Sequence, residues 1–256
     1  MTTLPKQNTG TGALEKYHQL RSVELSAATS IGEKAFYYCE ALTTASMPKA
    51  TSIGDLAFSN CKALTTINMP QVTSIGSSGF SACYALTTVS MPKATSIGDY
   101  TFFNCAALTT VNMPMATSIG SGAFSACYAL TKVSMPKVTS IGNYGFSGCN
   151  ALTTASMPQA TSIGSGAFYG CIALQSLDIS SVTKIEKLGT DYGSMFFPAF
   201  DNATDPETFK NCDLLLNSAL KQYCYDTDGT SQNGPLVNLK ICLLYTSPSP
   251  RDGLLS

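Results

Sequence analysis

The chain has 256 residues, only 12% of them charged, with a formal net charge of -1, one histidine, no tryptophan and ten cysteines. Near-neutrality with two arginines leaves no electrostatic footprint for nucleic acid, and one histidine cannot build a two-histidine zinc motif. No apolar run approaches ~18 residues, so no membrane-spanning helix is expected, while 44% hydrophobic content is too high for a disordered chain.

Residues 1–19 are polar and read as an N-terminal cap or leading half-coil. Leu14 and Tyr17 stand where later units carry Phe and Cys, and Glu15, Lys16 and Arg21 bring charge to a charge-poor chain. Terminal units of a repeat array are expected to be atypical in this way. The opening Met1-Thr2-Thr3-Leu4-Pro5-Lys6 lacks the basic segment and apolar run of a signal peptide.

From Leu20 onward the sequence is periodic. Thr-Ser-Ile begins at Thr29, Thr51, Thr73, Thr95, Thr117, Thr139 and Thr161, always 22 residues apart. Phe36 to Phe168 and Cys39 to Cys171 keep the same step, so residues 20–173 form seven units, and an eighth starts at Leu174 and departs from the pattern. One such coil cannot fold alone. Its larger apolar stations are worth roughly 1.5–3 kcal/mol each when buried, whereas ordering each residue costs about 1.5 kcal/mol. Neighbouring coils must share a core and a hydrogen-bond ladder, which is the logic of a solenoid.

Within a unit, Ala45 and Met47 face inward with Ser46 between them, as in a strand, and Pro48 ends it because it has no N–H to donate. Thr51-Ser52-Ile53 is a second short extended piece with Ile53 inward, broken by Gly54. The segment Ala57-Phe58-Ser59-Asn60-Cys61 is expected to be a helical or 3₁₀ turn, with the Phe copies stacked as an internal column. The expected fold is therefore a β-rich repeat solenoid of about eight coils. We expect one continuous parallel sheet on the side of the first strand, short extended or 3₁₀ pieces on the other, and no large pocket.

These units resemble the BspA-like (Treponema-type) leucine-rich repeat, whose pattern is similar to L-x-x-I-x-I-P-x-x-V-x-x-I-G-x-x-A-F-x-x-C. The resemblance covers Leu20 to Leu177 and implies a right-handed leucine-rich-repeat coil. The chain departs from the pattern in having Met at the last inward strand station (Met47, Met69, Met91, Met113, Met135, Met157) and in a unit one residue shorter.

Seven cysteines share one station and read as a column of buried reduced thiols, small hydrophobes filling an identical place. Seven is odd, parallel side chains at equivalent stations disfavour closure, and no C-x-x-C occurs. Cys212 reads as a further copy, since Thr208-Phe209-Lys210-Asn211-Cys212 echoes Thr101-Phe102-Phe103-Asn104-Cys105. Residues 178–241 read as a divergent acidic repeat or cap with an insertion over Gly189–Glu207. Asp226-Thr227-Asp228-Gly229 lacks the later ligands of a calcium loop. The peptide Cys242–Asp252 back-translates into a string resembling a transposase-type sequencing adaptor, so residues 242–256 are read as adaptor-derived.

The array offers no candidate chemistry. His18 lies in the cap, and between Leu42 and Leu174 the only charges are Lys49, Asp55, Lys62, Lys93, Asp99, Lys132 and Lys137. No pair of carboxylates recurs for acid–base work. Catalytic, cofactor and metal sites are accordingly expected to be absent. What remains is an outward strip, hydroxyl- and amide-rich with a weak positive line. It comprises Thr44, Ser46, Lys49, Thr66, Asn68, Gln71, Thr88, Ser90, Lys93, Thr110, Asn112, Lys132, Ser134, Lys137, Thr154, Ser156 and Gln159.

The strip suits many weak polar contacts with an extended protein or glycan, summed by repetition. The resemblance implies a non-enzymatic, adhesin-like protein of the bacterial surface or exterior, monomeric and contacting host matrix proteins or glycans. The alternative is a structural spacer in a phage tail or surface assembly. The missing signal peptide and reduced-looking thiols point away from the exterior, and a truncated reading frame reconciles them.

Overall fold

The structure is a computed structural model. It describes Leu14 and residues 17–182, together with the backbone strands Lys184–Ile185, Asp213–Leu216 and Lys240–Leu243. Cys212, Cys224 and Asp226–Gly229 lie outside the described residues.

Two columns of parallel strands run along a solenoid. The long strands are Ser22–Glu24, Thr44–Ser46, Thr66–Asn68, Thr88–Ser90, Thr110–Asn112, Lys132–Ser134, Thr154–Ser156 and Ser176–Ile179. The short strands, from Ser30–Ile31 to Lys184–Ile185, take the Ser-Ile pair of each unit. Register is one coil throughout: Thr44 pairs with Thr66, and Ile31 with Ile53. The long strand ends before Pro48, but Met47 still donates its N–H to the Asn68 carbonyl at 3.0 Å.

The expected continuous parallel sheet is present, and it is built from the short strands. All eight short strands form a single sheet, while the eight long strands fall into runs of three, two and three, the last continued by Asp213–Leu216 and Lys240–Leu243. The interruptions come after Thr66–Asn68 and after Thr110–Asn112. Each Asn there reaches back to the preceding coil, Asn68 to the Ser46 hydroxyl at 3.3 Å and Asn112 to the Ser90 hydroxyl at 3.2 Å. The side-chain bond reinforces the paired step and leaves the next one without such support.

The turn after Gly54 is not helical. Every described coil has two residues with positive φ here, for example Leu56 (55°) and Asn60 (63°), or Gly122 (60°) and Ala126 (61°). N–H groups consequently alternate in direction. Leu56, Phe58 and Asn60 donate to Ser77, Gly79 and Ser81 of the next coil, whereas Ala57, Ser59 and Cys61 donate back within their own turn. A helix would satisfy every donor inside one coil and leave nothing to join it to its neighbour. The glycine before the turn permits the close approach: a Cβ on Gly54 would lie 2.6 Å from the Glu33 nitrogen.

The core is one continuous apolar cluster from Leu14 to Val182. Its axis is the Phe column: seven rings, all fully buried, stacked with centroids 4.9–5.5 Å apart and planes within 13°. That spacing is the strand-to-strand repeat of a parallel sheet, about 4.8 Å, with a small offset. Toward the C-terminus, Asp213–Leu216 pairs with Ser176–Ile179 and then with Lys240–Leu243, which runs across the expected boundary at residue 242. Asp213 stands opposite Ser176. Ser176 follows Cys171 by five residues, whereas Asp213 follows Cys212 directly, so this strand arrives four residues sooner than a copied cysteine station requires.

Candidate functional site

The long strands place the strip where strand alternation predicts. Ala45, Val89, Val133 and Ala155 point into the core, so the residues on either side point out. Thr44, Lys49, Thr66, Asn68, Thr88, Ser90, Lys93, Thr110, Asn112, Lys132, Ser134, Lys137 and Gln159 are exposed. Ser46, Gln71, Thr154 and Ser156 are half-buried. Strand pairing brings them into rows: Thr44 beside Thr66, Ser90 beside Asn112, Lys132 beside Thr154. The rows stay open between the paired runs, so the strip is three short panels in sequence.

The row past the proline alternates Lys49, Gln71, Lys93, Met115, Lys137, Gln159. Lys93 Nζ donates to the Gln71 side-chain oxygen, and Lys137 Nζ lies 3.1 Å from the Met115 sulfur. The outward strand station reads Ser46, Asn68, Ser90, Asn112, Ser134, Ser156, alternating as far as Ser134, and the station after the turn glycine reads Asp55, Ser77, Asp99, Ser121, Asn143, Ser165. Asp55, Asp99 and Asn143 each accept the backbone N–H of the residue one coil on, at 2.7–2.8 Å. The surface thus repeats every two coils. Carboxylates bound the strip at both ends: Glu24 stands one coil before Ser46, and Asp178 one coil beyond Ser156, whose hydroxyl donates to it at 3.4 Å.

Two further threonine columns serve the fold rather than the strip. Thr51, Thr73, Thr95, Thr117, Thr139 and Thr161 donate their hydroxyls to the carbonyl of the same threonine one coil earlier, at 2.9–3.2 Å. Thr65, Thr109 and Thr153 do the same from the first Thr of Leu-Thr-Thr, and Thr43 donates to the Arg21 carbonyl at that station, each within a paired run of long strands. The neighbouring strip threonines only touch them, as Thr88 Oγ1 touches Thr87 Oγ1 at 3.3 Å.

The cysteines are buried free thiols. Each described one donates its S–H across to the preceding coil: Cys39 to the Leu14 carbonyl at 3.1 Å, and Cys61, Cys83, Cys105, Cys127, Cys149 and Cys171 to the Phe carbonyls at 3.2 Å. Burial pushes the Cys39 thiol up to about 11 and the Cys105 thiol up to about 12, and raises Cys61, Cys83, Cys127 and Cys149 strongly. The thiolate is the reactive form, so these six thiols are chemically quiet at neutral pH. The cap side carries one cross-coil ion pair, Lys62 with Glu40 at 2.9 Å, which lowers the Glu40 carboxyl and raises the Lys62 ammonium. Among the described residues no group of three or more His, Cys, Asp or Glu converges on a metal-sized position, and no helix is long and apolar enough to cross a membrane.

One surface escaped the sequence reading. Tyr84, Tyr100, Phe103, Tyr128, Tyr144, Tyr169 and Ile172 are exposed along the turn edge. They sit at variable stations, which look like noise in a 22-residue repeat; comparing alternate units would have found them.

A family model described as the BspA type leucine rich repeat region matches residues 7–128, 73–193 and 117–217, with six copies. The chain belongs to this family of leucine-rich repeat proteins. Among solved structures it is similar to a T. pallidum leucine rich repeat protein, at 26% identity and a TM-score of 0.51, covering 60% of this chain and 81% of that one. A leucine rich cell surface protein from Faecalibacterium prausnitzii is 23% identical with a TM-score of 0.48, covering 96% of this chain and 87% of that one. A leucine-rich repeat protein from Eubacterium ventriosum is 27% identical with a TM-score of 0.37, covering 64% of this chain and 55% of that one. No curated protein matches the chain.

Proposed function

We propose that this array is a non-enzymatic binding module of a bacterial cell-surface or secreted adhesin-like protein, acting as a monomer. Its Thr/Ser/Asn/Lys strip would contact an extended protein or glycan. The observation that supports this most directly is the row of exposed side chains held in register by the paired long strands. Rigid strands fix these groups at a repeating spacing, so each weak contact adds to the next without a new ordering cost. Lys49, Lys93, Lys132 and Lys137 bias the strip toward partners with acidic or acceptor-rich segments. Family membership supports the surface setting and the absence of catalysis.

The test is surface plasmon resonance with immobilised fibronectin, fibrinogen and a glycan panel. We expect saturable binding that weakens roughly tenfold when Lys93, Lys132 and Lys137 are together replaced by Ala, with steeper salt dependence in the parent. Equal binding by parent and triple variant would assign the strip to spacing and solubility alone, the role of a display module.

A further inference from the structure

We propose that the turn edge carries a second binding surface, in which Tyr100 and Tyr144 are stacking platforms for alternate sugar rings of a neutral, β-linked linear polysaccharide. The two tyrosines occupy one station, 44 residues apart, and Gly122 and Gly166 fill that station in the intervening and following coils. The alternation is sterically coupled. A Cβ on Gly122 would fall 2.5–2.6 Å from the Tyr100 ring, and a Cβ on Gly166 would meet Tyr144 at the same distances. Each ring is therefore seated on a bare glycine of the next coil. Each is also braced edge-on by a second aromatic, Tyr100 by Phe103 at 6.0 Å and Tyr144 by Tyr169 at 6.4 Å.

The rings are held but not covered: Tyr100 is 48% exposed and Tyr144 36%. Both have positive φ, 53° and 56°, a backbone state unfavourable for a bulky residue and free for the glycines that share the station. A second row, Tyr84 and Tyr128, repeats with the same two-coil interval at 40% and 49% exposure. Pre-positioned aromatic faces reduce the side-chain ordering that binding otherwise costs.

Three features favour a sugar chain. First, two coils advance roughly 10 Å, and each ring of an extended β-linked glycan advances about as far as one coil. In a twofold chain of this kind alternate rings present the same face, which is what platforms on alternate coils would meet. An extended peptide presents the same face every ~6.7 Å instead. Second, Asp99 is the only charge between Lys93 and Lys132, none falls between Lys137 and Asp178, and Lys62 lies by Tyr84 of the second row, so the Tyr100 and Tyr144 platforms do not select a charged polymer. Third, the tyrosine hydroxyls project from the same edge and can both donate to and accept from sugar hydroxyls. A polyproline helix, whose turn of ~9.3 Å comes nearest to the same interval, offers carbonyl acceptors only.

This inference rests on reading the array as a binding module but uses a different surface from the strip, so the two can fail separately. The experiment is native electrophoresis of the full chain through gels containing hydroxyethylcellulose, with calorimetric titration of cellotetraose, cellohexaose, maltohexaose and a proline decamer. We expect retardation by hydroxyethylcellulose and tighter binding of cellohexaose than cellotetraose, with little binding of maltohexaose. Replacing Tyr100→Asn and Tyr144→Asn together should weaken it roughly tenfold. Asn tolerates positive φ, so the double variant should keep the parental melting curve. A folded parent that neither binds cellohexaose nor is retarded, a double variant that binds as the parent does, or preference for the proline decamer would each overturn the proposal.

Discussion

The Phe column and the Lys49–Gln159 row run along the same solenoid, yet they repeat differently. Phe36 to Phe168 is one residue type copied in every coil, fully buried. The Lys/Gln/Met row, the Ser/Asn row, the Asp/Ser row and the Tyr/Gly row change between one coil and the next. Inside, each coil presents the same surface to both neighbours, and identical shapes stack at one coil spacing. Outside, the side chains of these rows reach the next coil and meet an unlike partner there, whereas the short hydroxyls of the Thr51–Thr161 column reach a backbone carbonyl and can repeat in every coil. Asn68 needs the Ser46 hydroxyl, Lys93 the Gln71 oxygen, Asp99 the Ser121 N–H, and Tyr100 the empty place at Gly122. The Phe column has a one-coil unit and these surface rows a two-coil unit, and only the surface rows are free to be shaped by a ligand.

The comparison breaks first, if it breaks, at the interior. Phe102 stacks on Phe80 at 5.5 Å and on Phe124 at 5.3 Å, whereas Phe36 has one stacked neighbour, Phe58. Phe102→Ala should cost about 3–5 kcal/mol in denaturant unfolding, and more than Phe36→Ala. Equal costs at both positions would mean the coils do not share their core.

The cysteine column gives the next effect, through pH. Below an unfolded thiol's ordinary value, near 8.5, Cys39 and Cys105 are protonated in both states. Above it the unfolded chain loses protons, while the folded thiols hold theirs until about 11 for Cys39 and about 12 for Cys105. The folded state then binds more protons, so stability falls as pH rises across this window, by up to about 1.4 kcal/mol per pH unit for each thiol. Replacing Cys83 and Cys105 by Ala should flatten that alkaline slope. Iodoacetamide at pH 8 should leave the column unmodified until denaturant is added; rapid labelling of the folded chain would contradict the burial.

How much of this was legible follows the same division. Ile53, Phe58, Cys61 and Leu64 could be placed in the core from one unit, because a strict repeat has a single inside. The turn was misread as helical because Ala57, Phe58 and Cys61 sit at spacings a helix also allows. The contrary signal was a comparison across units: Asn60, Asn104, Gly148 and Gly170 share one station, and all tolerate positive φ. The strip followed from strand alternation, but its division into panels lies in which neighbouring coils pair their long strands, which no single unit contains.

A smaller effect probes the surface unit itself. Asp99 spends one carboxylate oxygen on the Ser121 N–H at 2.7 Å. Asp99→Ala should cost on the order of 1 kcal/mol, Asp99→Asn much less, since Asn143 makes the same bond at 2.8 Å in a later coil. Thermal melting of the two variants compares them directly. Equal losses would make the charge, rather than the cap, the source of the effect.

The smallest expected difference is the sharpest, because it separates two threonines that look alike in sequence. Thr95 and Thr88 are both exposed, and both stand beside a strand-forming residue. Thr95 donates its hydroxyl to the Thr73 carbonyl at 3.1 Å and so fastens one coil to the one before. Thr88 only meets the Thr87 hydroxyl at 3.3 Å, a contact water can replace. Valine keeps the β-branched shape that suits a strand and removes only the hydroxyl. Thr95→Val should therefore lose about 0.5–1.5 kcal/mol, while Thr88→Val should stay within ~0.5 kcal/mol. Binding should respond in the opposite sense. Thr88→Val alters the strip and should weaken partner capture at unchanged stability, whereas Thr95→Val should leave capture intact below its melting temperature. If instead the two variants lose equal stability and equal binding, threonine in this array is one population. The separation between a row of hydroxyls that staples the coils and a row that faces a ligand would then fail at the level of the single hydroxyl.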